Sequence, residues 1–284
     1  MDKNQSLISK HAKSFNWAGF FLSKKTFNKC SVLYDFCRTV DDIVDEDSPL
    51  DIRERKLLKF KSDFKNKNLS NNIIKNIHDL LEQENISEKI VEDLFDGVES
   101  DLKPEVIIKN KKDLLIYSYR VAGSVGLMMA KILKVKDTYA LRSAIDLGIA
   151  MQLTNISRDV VEDKKRNRSY IKHDFKVIKE TIQTADTFYK SSFVGIKSIP
   201  VISRFSIIVA RRVYKKIGDN ILKIESLEKY NNIEKVYVSN ISKVTETLLS
   251  FYDFIKLFFI VSKKHLKENE HIIISEEIDL NERI

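Results

Sequence analysis

The segment QLTNISRDVVED spans Gln152 to Asp163 and places four oxygen-bearing side chains on one predicted helical face. At about 100° per residue, Asp159 and Asp163 fall about 40° apart, and Gln152 and Asn155 precede them on the same stripe. Carboxylates one turn apart repel each other on an ordinary helix. The segment therefore predicts a helix that holds a cation.

A second acidic segment, DDIVD at Asp41 to Asp45, repeats this pattern. Counted as a helix, four side chains fall within roughly 60° of each other, whereas Asp42 points to one side. The four are Tyr34, Arg38, Asp41 and Asp45. Mg2+ prefers one or two carboxylates together with phosphate oxygens and water. The two stripes therefore predict a Mg2+ site for a diphosphate, with Mn2+ as a substitute. The alternative is two solvated faces with i,i+4 ion pairs.

Cationic side chains accompany both acidic segments. Lys164, Lys165, Arg166 and Arg168 follow Asp163 directly, and Arg38 lies on the first stripe. The planar fork of arginine can hold two phosphate oxygens at once. Cations for phosphate and carboxylates for metal therefore occur side by side, as diphosphate binding requires.

The composition favours an all-α chain. Its 284 residues include seven glycines and three prolines, and apolar residues recur at three- and four-residue spacing. Ser87 is a predicted N-cap, followed by Ile90, Leu94, Val98 and Leu102 at every fourth position. Helix breaks are expected near 48–49, 66–72, 109–112, 198–200 and 231–232. We expect a single helical domain over residues 1–284, with a charged tail that frays from about residue 263.

The stretch Tyr117 to Leu133 is almost uncharged and contains Gly123 and Gly126. Glycine in a helix costs about 1 kcal/mol relative to alanine, so the pair suggests a kink or a close backbone approach. A long apolar ligand along the helix would explain it, and so would tight helix packing. Tyr34 and Tyr119 could present their rings to a cationic intermediate, or could be packed core side chains.

Charge and cysteine content limit the other classes of function. The net charge of +8 is spread along the chain and no nucleic-acid motif occurs, so we expect no nucleic-acid partner. A basic surface favours loose attachment to anionic lipid at the inner face of the membrane. Cys30 and Cys37 lie about 10 Å apart along one predicted helix, beyond disulfide reach, which fits a reducing cytoplasm. The longest apolar stretch, Phe251 to Val261, is too short to span a membrane and is interrupted by charges. Without a Walker loop or a GxGxxG motif, no nucleotide is expected.

With these residues in view, the chain resembles the squalene and phytoene synthase family of head-to-head prenyl transferases. Its motifs are closest in sequence to those of bacterial phytoene synthases. The resemblance lies in HAKSF (His11–Phe15), YDFCRTVDDIVDE (Tyr34–Glu46), DGVESDL (Asp96–Leu102), YRVAGSVGLMM (Tyr119–Met129) and LGIAMQLTNISRDVVEDKKRNRSYI (Leu147–Ile171). It implies the all-α isoprenoid synthase bundle around a central apolar cavity. Helices that carry Phe15, Phe20, Val125, Leu127 and Leu153 would line this cavity.

The resemblance also implies roles for individual residues. Mg2+ would be coordinated by Asp41, Asp45, Asn155, Asp159 and Asp163. Substrate would be bound by His11, Ser14, Phe15, Arg38, Gln152, Asn155, Arg168, Tyr214 and Lys235. The catalytic group would comprise Tyr34, Arg38, Asp41, Tyr119 and Asp159. This chain departs from the family pattern at Lys235, where an arginine is usual, at Lys172, where a proline is common, and at Ala12, where serine is frequent.

The activity implied is the joining of two geranylgeranyl diphosphates to phytoene. One alternative is the same chemistry on farnesyl diphosphate, which gives presqualene diphosphate, dehydrosqualene or squalene. A second alternative is a non-catalytic helical assembly protein, which would have no reason to keep both acidic stripes. The sequence leaves the oligomeric state open.

Overall fold

The computed structural model describes residues 13–261 and 265–284. For residues 13–15 it describes the backbone alone. Helices follow one another along the chain. The all-α class predicted from the sequence is confirmed. The helices are α1 (Lys13–Gly19), α2 (Lys24–Asp45), α3 (Leu50–Lys65), α4 (Asn72–Glu84), α5 (Glu88–Glu99), α6 (Lys111–Ser118), α7 (Ser124–Ile132), α8 (Thr138–Lys165), α9 (Phe175–Gly195), α10 (Val201–Leu222), α11 (Leu227–Asn231), α12 (Asn240–Phe259), α13 (Glu268–Ser275) and α14 (Leu280–Arg283).

Helix boundaries follow the turn and capping residues. Each predicted break falls between or at the ends of helices, as at Pro49, which precedes α3. The side chain of Ser87 caps α5 by accepting a hydrogen bond from the backbone N–H of Lys89. Leu102 is buried as its spacing predicts, but it lies beyond the end of α5 at Glu99.

The long helix α8 lies at the centre of the fold and packs against α7, α9 and α10. Between α6 and α7 the chain forms a π turn, Tyr119–Gly123, which interrupts the regular α-helix and ends at Gly123. Close packing accompanies it. A Cβ atom built on Gly126 would lie 2.4 Å from the carbonyl oxygen of Ala144 on α8. The close backbone approach that the glycines predict is therefore confirmed at Gly126.

Two short parallel strands fix the chain next to the end of α8. The strands β1 (Val106–Ile107) and β2 (Arg168–Ser169) pair Val106 with Arg168. The backbone N–H of Val106 donates to Asn167, and that of Ile108 donates to Ser169. This pairing fixes the backbone of Arg168 close to the C-terminal end of α8, which carries the second acidic stripe.

The C-terminal segment, residues 265–284, packs against the bundle, in contrast to the fraying that its charge predicts. Ile274 and Leu280 are fully buried. Arg283 donates to the carboxylate of Asp93 on α5 at 2.9 and 3.1 Å. Apolar anchors and specific ion pairs outweigh the repulsion between the charged groups.

The chemistry of the chain agrees with two further predictions. Cys30 and Cys37 are both free thiols. Among the helices of the described residues, none combines the length and apolarity needed to cross a bilayer.

Candidate active site

Both acidic stripes line one polar cavity of about 470 Å³ between α2, α8 and β2. The structure thus brings together residues that the sequence separates by more than a hundred positions. The predicted site residues in its wall are Arg38, Asp41, Asp45, Gln152, Asn155, Asp159, Asp163, Arg168 and Lys235. Asp42 is exposed and stays outside this wall, as its helical angle predicts.

On the first stripe, the two carboxylates differ in their surroundings. Asp45 lies between Arg166 at 2.6 Å and Arg168 at 2.8 Å. Burial alone would raise its pKa, but these two guanidinium groups hold the pKa of Asp45 below its ordinary value. Asp41 reaches water through the cavity and is nevertheless surrounded by protein, and this desolvation together with the charge of Asp45 raises its pKa to about 7.

The two carboxylates of the second stripe also differ in their surroundings. Asp159 accepts a hydrogen bond from Arg158 at 2.8 Å and lies 3.4 Å from the ammonium group of Lys235. Desolvation and the neighbouring charge of Asp159 raise the pKa of Asp163 to about 7. One turn before Asp159, the side-chain oxygen Oδ1 of Asn155 is buried and has no hydrogen-bond partner among the described residues.

These groups fit a hard divalent cation. Oxygen ligands from carboxylates and an amide are the donors that Mg2+ takes in proteins. A buried oxygen without a partner, as in Asn155, carries a desolvation cost that a cation would offset. Desolvation is the main reason why the pKa values of Asp41 and Asp163 are raised, and the neighbouring carboxylates of Asp45 and Asp159 add to it, so a bound cation would favour the ionised form of both groups.

Arg38 faces the same cavity from α2. Its Nη2 contacts Asp42 at 2.6 Å, while its Nε is buried and has no hydrogen-bond partner in the part of the chain that the structure describes. Burial raises the pKa of Tyr34 to about 12, with Arg38 lowering it and Tyr214 and Asp41 raising it further. The charges of Arg38 and Asp41, which both line the cavity, therefore act on the hydroxyl of Tyr34.

Sequence reasoning missed several residues of the cavity wall. Asp101 is buried and accepts hydrogen bonds from the hydroxyls of Tyr117 at 2.8 Å and Tyr170 at 2.9 Å. Arg158 and Glu162 also contribute to the wall. The signal for Asp101 was present in the motif DGVESDL, but its direction depends on where α5 ends.

Tyr119 is not brought to this cavity. Its ring is fully buried and its hydroxyl donates to Asp93 at 3.0 Å, on the side where Arg283 docks. Tyr119 begins the π turn and is packed in the core, and its place at the reaction centre stays a prediction.

The predicted apolar lining is only partly assembled. Leu127 and Leu153 are buried in the core, whereas Phe20 is 65% exposed just beyond the end of α1. His11 and Ala12 lie outside the described residues, as do the side chains of Ser14 and Phe15. Lys172 is exposed in the loop after β2.

Comparison with known proteins agrees with this geometry. The family model for squalene/phytoene synthase matches residues 8–175. A 15-cis-phytoene synthase of Enterobacter agglomerans is 30% identical over 247 residues, which cover 76% of this chain and 83% of that protein. A 15-cis-phytoene synthase of Paracoccus sp. is 39% identical over 129 residues, covering 39% of this chain and 42% of that protein.

Solved structures show the same fold. A dehydrosqualene synthase in complex with ligand has a TM-score of 0.71 and 27% identity, over 88% of this chain and 94% of that one. A squalene synthase of Alicyclobacillus acidocaldarius, at 17% identity and a TM-score of 0.66, covers 80% of this chain and 92% of its own, and it supports the fold alone. The chain therefore belongs to the squalene/phytoene synthase family and is a prenyltransferase.

Proposed function

We propose that this enzyme joins two geranylgeranyl diphosphates head to head and forms phytoene, a step of carotenoid biosynthesis that depends on Mg2+. The observation that carries the proposal is that both acidic stripes line one cavity together with cationic side chains. These are Arg38, Arg158, Arg166, Arg168 and Lys235. The names of the relatives support the C20 substrate, since two of them are 15-cis-phytoene synthases.

Five oxygen-bearing residues would hold the metal. They are Asp41, Asp45, Asn155, Asp159 and Asp163. When bound, Mg2+ would neutralise charge on the diphosphate leaving group, with Mn2+ able to take its place. Arg38, Arg168 and Lys235 would bind diphosphate oxygens from the cavity wall, with His11 as a further contact from outside the described residues. Lys235 acts as a point charge where an arginine would form a fork.

The reaction balances without a reductant. The C–O bond of the first substrate breaks and its electron pair leaves with diphosphate. The double bond of the second substrate attacks the resulting carbocation, and loss of one proton closes a cyclopropyl diphosphate. A second C–O cleavage, rearrangement and loss of another proton give the linear triene. The chain needs no nucleophile, because its residues neutralise the leaving group, position both substrates and exclude water that would quench a cation.

Aromatic residues beside the cavity suit the cationic intermediates. Tyr34 interacts electrostatically with Arg38 and Asp41, and Tyr214 does so with Arg158 and Asp159, which all line the cavity. An aromatic face attracts a cation through its quadrupole. Gln152 and, from outside the described side chains, Ser14 and Phe15 would complete the substrate contacts.

A second candidate function keeps this chemistry and uses farnesyl diphosphate. The similarity to a dehydrosqualene synthase, at 27% identity, favours it. Both substrates carry the same diphosphate, so the cavity described above does not distinguish them. The depth of the predicted apolar cavity would decide between the two substrates. The C15 chain is one isoprene unit shorter, so it has five fewer carbons for the protein to cover.

Product analysis tests the proposal directly. We expect purified protein with Mg2+ and the C20 diphosphate to give phytoene by mass spectrometry, and EDTA to abolish the product. A C30 product formed only from the C15 diphosphate would establish the second candidate. Inertness toward both substrates in the presence of Mg2+ would contradict the proposal.

A lipid product also supports the prediction of a cytoplasmic enzyme that is loosely attached to the inner membrane face. The net charge of the protein, +8, favours contact with anionic lipid.

A further inference from the structure

The helix α12 (Asn240–Phe259) is packed with its polar side toward the protein. Its buried positions are mostly polar or charged: Lys243, Glu246, Ser250 and Asp253, together with Leu257. In a helix at the surface of a globular protein the apolar stripe faces the core. The orientation of α12 is therefore the reverse of the usual one.

Specific polar contacts hold α12 in this orientation. Arg212 on α10 contacts Glu246 at 2.9 Å and Asp253 at 2.8 Å. The indole N–H of Trp17 donates to the hydroxyl of Thr247 at 2.9 Å. Rolling the helix to bury its apolar side would separate buried charges from their partners, which is costly.

The outward side of α12 is apolar. Its exposed residues include Ile241, Val244, Leu248, Tyr252, Ile255 and Phe259. From Phe258 to Leu249, the exposed apolar positions cover about 180° of the helix at about 100° per residue. Between these two edges α12 exposes Thr245 and Lys256 as polar side chains and no acidic one.

The apolar surface continues onto neighbouring elements. The ring of Phe251 on α12 lies 4.6 Å from that of Phe205 on α10, which lies 5.0 Å from that of Phe21. Beside them, Val201 and Ile202 are exposed at the start of α10. A contiguous apolar surface of this kind marks an interaction site.

We propose that this surface, formed by the outward side of α12 and the start of α10, is where the enzyme lies on a bilayer that contains anionic lipid. The inference deepens the proposed function, on which it rests for the lipid nature of substrate and product. Three features favour a bilayer over a second helix as the occupant. The apolar side is about half the helix wide, whereas a coiled-coil seam is narrower. Its aromatic residues suit the headgroup level. Lys256, the one charged side chain that α12 exposes between Asn240 and Phe259, is complementary to anionic lipid.

The bilayer contact is peripheral. Within the described parts of the chain no helix qualifies as a membrane span, and α12 carries Glu246 and Asp253 on its inner side. The helix would lie in the interface plane with its apolar side in the acyl boundary.

Vesicle binding of matched variants tests the inference. Full-length protein is sedimented with vesicles of phosphatidylcholine and phosphatidylglycerol, with no substrate present. In the variant Ile255→Glu/Phe259→Glu, we expect the partition coefficient to fall at least about tenfold, because two apolar side chains no longer enter the bilayer. The control Leu58→Glu/Leu69→Glu adds the same charges at two exposed apolar residues elsewhere and should bind like wild type. Leu58 matches Ile255 in exposure, 57% against 58%, and Leu69 is 52% exposed against 81% for Phe259.

Further measurements separate the outcomes. If Ile255→Glu/Phe259→Glu does not fold by circular dichroism, Ile255→Ser/Phe259→Ser replaces it. Equal loss in both double variants, or complete loss of wild-type binding in 0.5 M NaCl, would mean that charge alone binds the vesicles and would overturn the inference. So would a dimer in sedimentation equilibrium that the α12 variant dissociates, since a second copy would then cover this surface. Turnover of detergent-dispersed substrate should be unchanged in the α12 variant. Vesicle binding without any turnover would count against the proposed function and leave the surface assignment intact.

Discussion

At the scale of single residues, the carboxyl groups of the cavity differ in how they are neutralised. Asp45 has two arginine partners within 2.8 Å, whereas Asp41 and Asp163 have pKa values raised to about 7. The latter two have the most to gain from a bound cation. Asp42, in contrast, is separated from the cavity by its position on the helix, because adjacent residues such as Asp41 and Asp42 point in directions about 100° apart.

Asp41 and Asp42 therefore form a matched pair for mutagenesis. We expect Asp41→Asn to lower kcat/KM by at least about a thousandfold, since it removes a proposed metal ligand, with an effect of several kcal/mol. Asp42→Asn should stay within about tenfold of wild type, because an exposed ion pair such as Arg38–Asp42 contributes little. Steady-state kinetics at saturating Mg2+ provides the comparison, and similar losses in both variants would argue against the assigned stripe.

Asp159 tests the second stripe independently. Asp159→Ala should cost several orders of magnitude in rate and little stability, because its side chain lies at the cavity and outside the apolar core. Single-turnover rates and thermal melting measure the two effects. Near-normal turnover in this variant would remove Asp159 from the metal site.

At the scale of elements, the backbone contact between α8 and the π turn decides how the core helices approach. A Cβ atom on Gly148 would lie 2.2 Å from the carbonyl oxygen of Ala122 and 2.9 Å from the Cα atom of Gly123. Rotation of a side chain would not relieve this clash, since the three nearest atoms all belong to the backbone. The sequence pattern indicated Gly123 and Gly126. It did not indicate Gly148, which lies against both of them on α8.

Alanine substitutions at two glycines measure this contact. Gly148→Ala should lower the free energy of unfolding by about 3 kcal/mol, the upper end for overpacking. Gly218→Ala on α10 is the control, because its Cβ would meet only the side chain of Ile182 at 3.1 Å. It should stay within about 1 kcal/mol of wild type, helped by the higher helix propensity of alanine. Equal stabilities in urea unfolding would show that α8 can move away from the turn.

At the scale of the whole molecule, the C-terminal segment closes the bundle by docking on α8. The fully buried carboxylate of Asp146 contacts His271 at 2.8 Å and His265 at 2.9 Å. Around them, Arg142 lies 3.4 Å from the other ring nitrogen of His271, and the ring of Tyr139 packs edge-on against His265. Burial would raise the pKa of Asp146, but the two histidines hold the pKa below its ordinary value.

Asp146→Asn should lower the free energy of unfolding by about 3 to 5 kcal/mol at pH 7, the usual cost of breaking a buried pair. A lowered pKa in the folded state gives stability that is present above the unfolded pKa and is lost as pH falls through the folded one. The difference between wild type and variant should therefore persist at pH 5 and shrink only below about pH 4. Urea unfolding at several pH values measures it, and a difference already absent at pH 5 would show that Asp146 is not ionised there.

The sequence by itself determined the helical class, the helix breaks, the two acidic stripes and the family. These are local properties, because spacing along a helix fixes which side chains share a face whatever the helix packs against. Tertiary structure alone decided which partners those faces meet. Arg168 reaches Asp45 from 123 residues away, Tyr119 turns to Asp93 in the core, and α12 turns its polar side inward because Arg212 lies beneath it. Each of these depends on contacts between distant segments, and no periodicity within one segment encodes them.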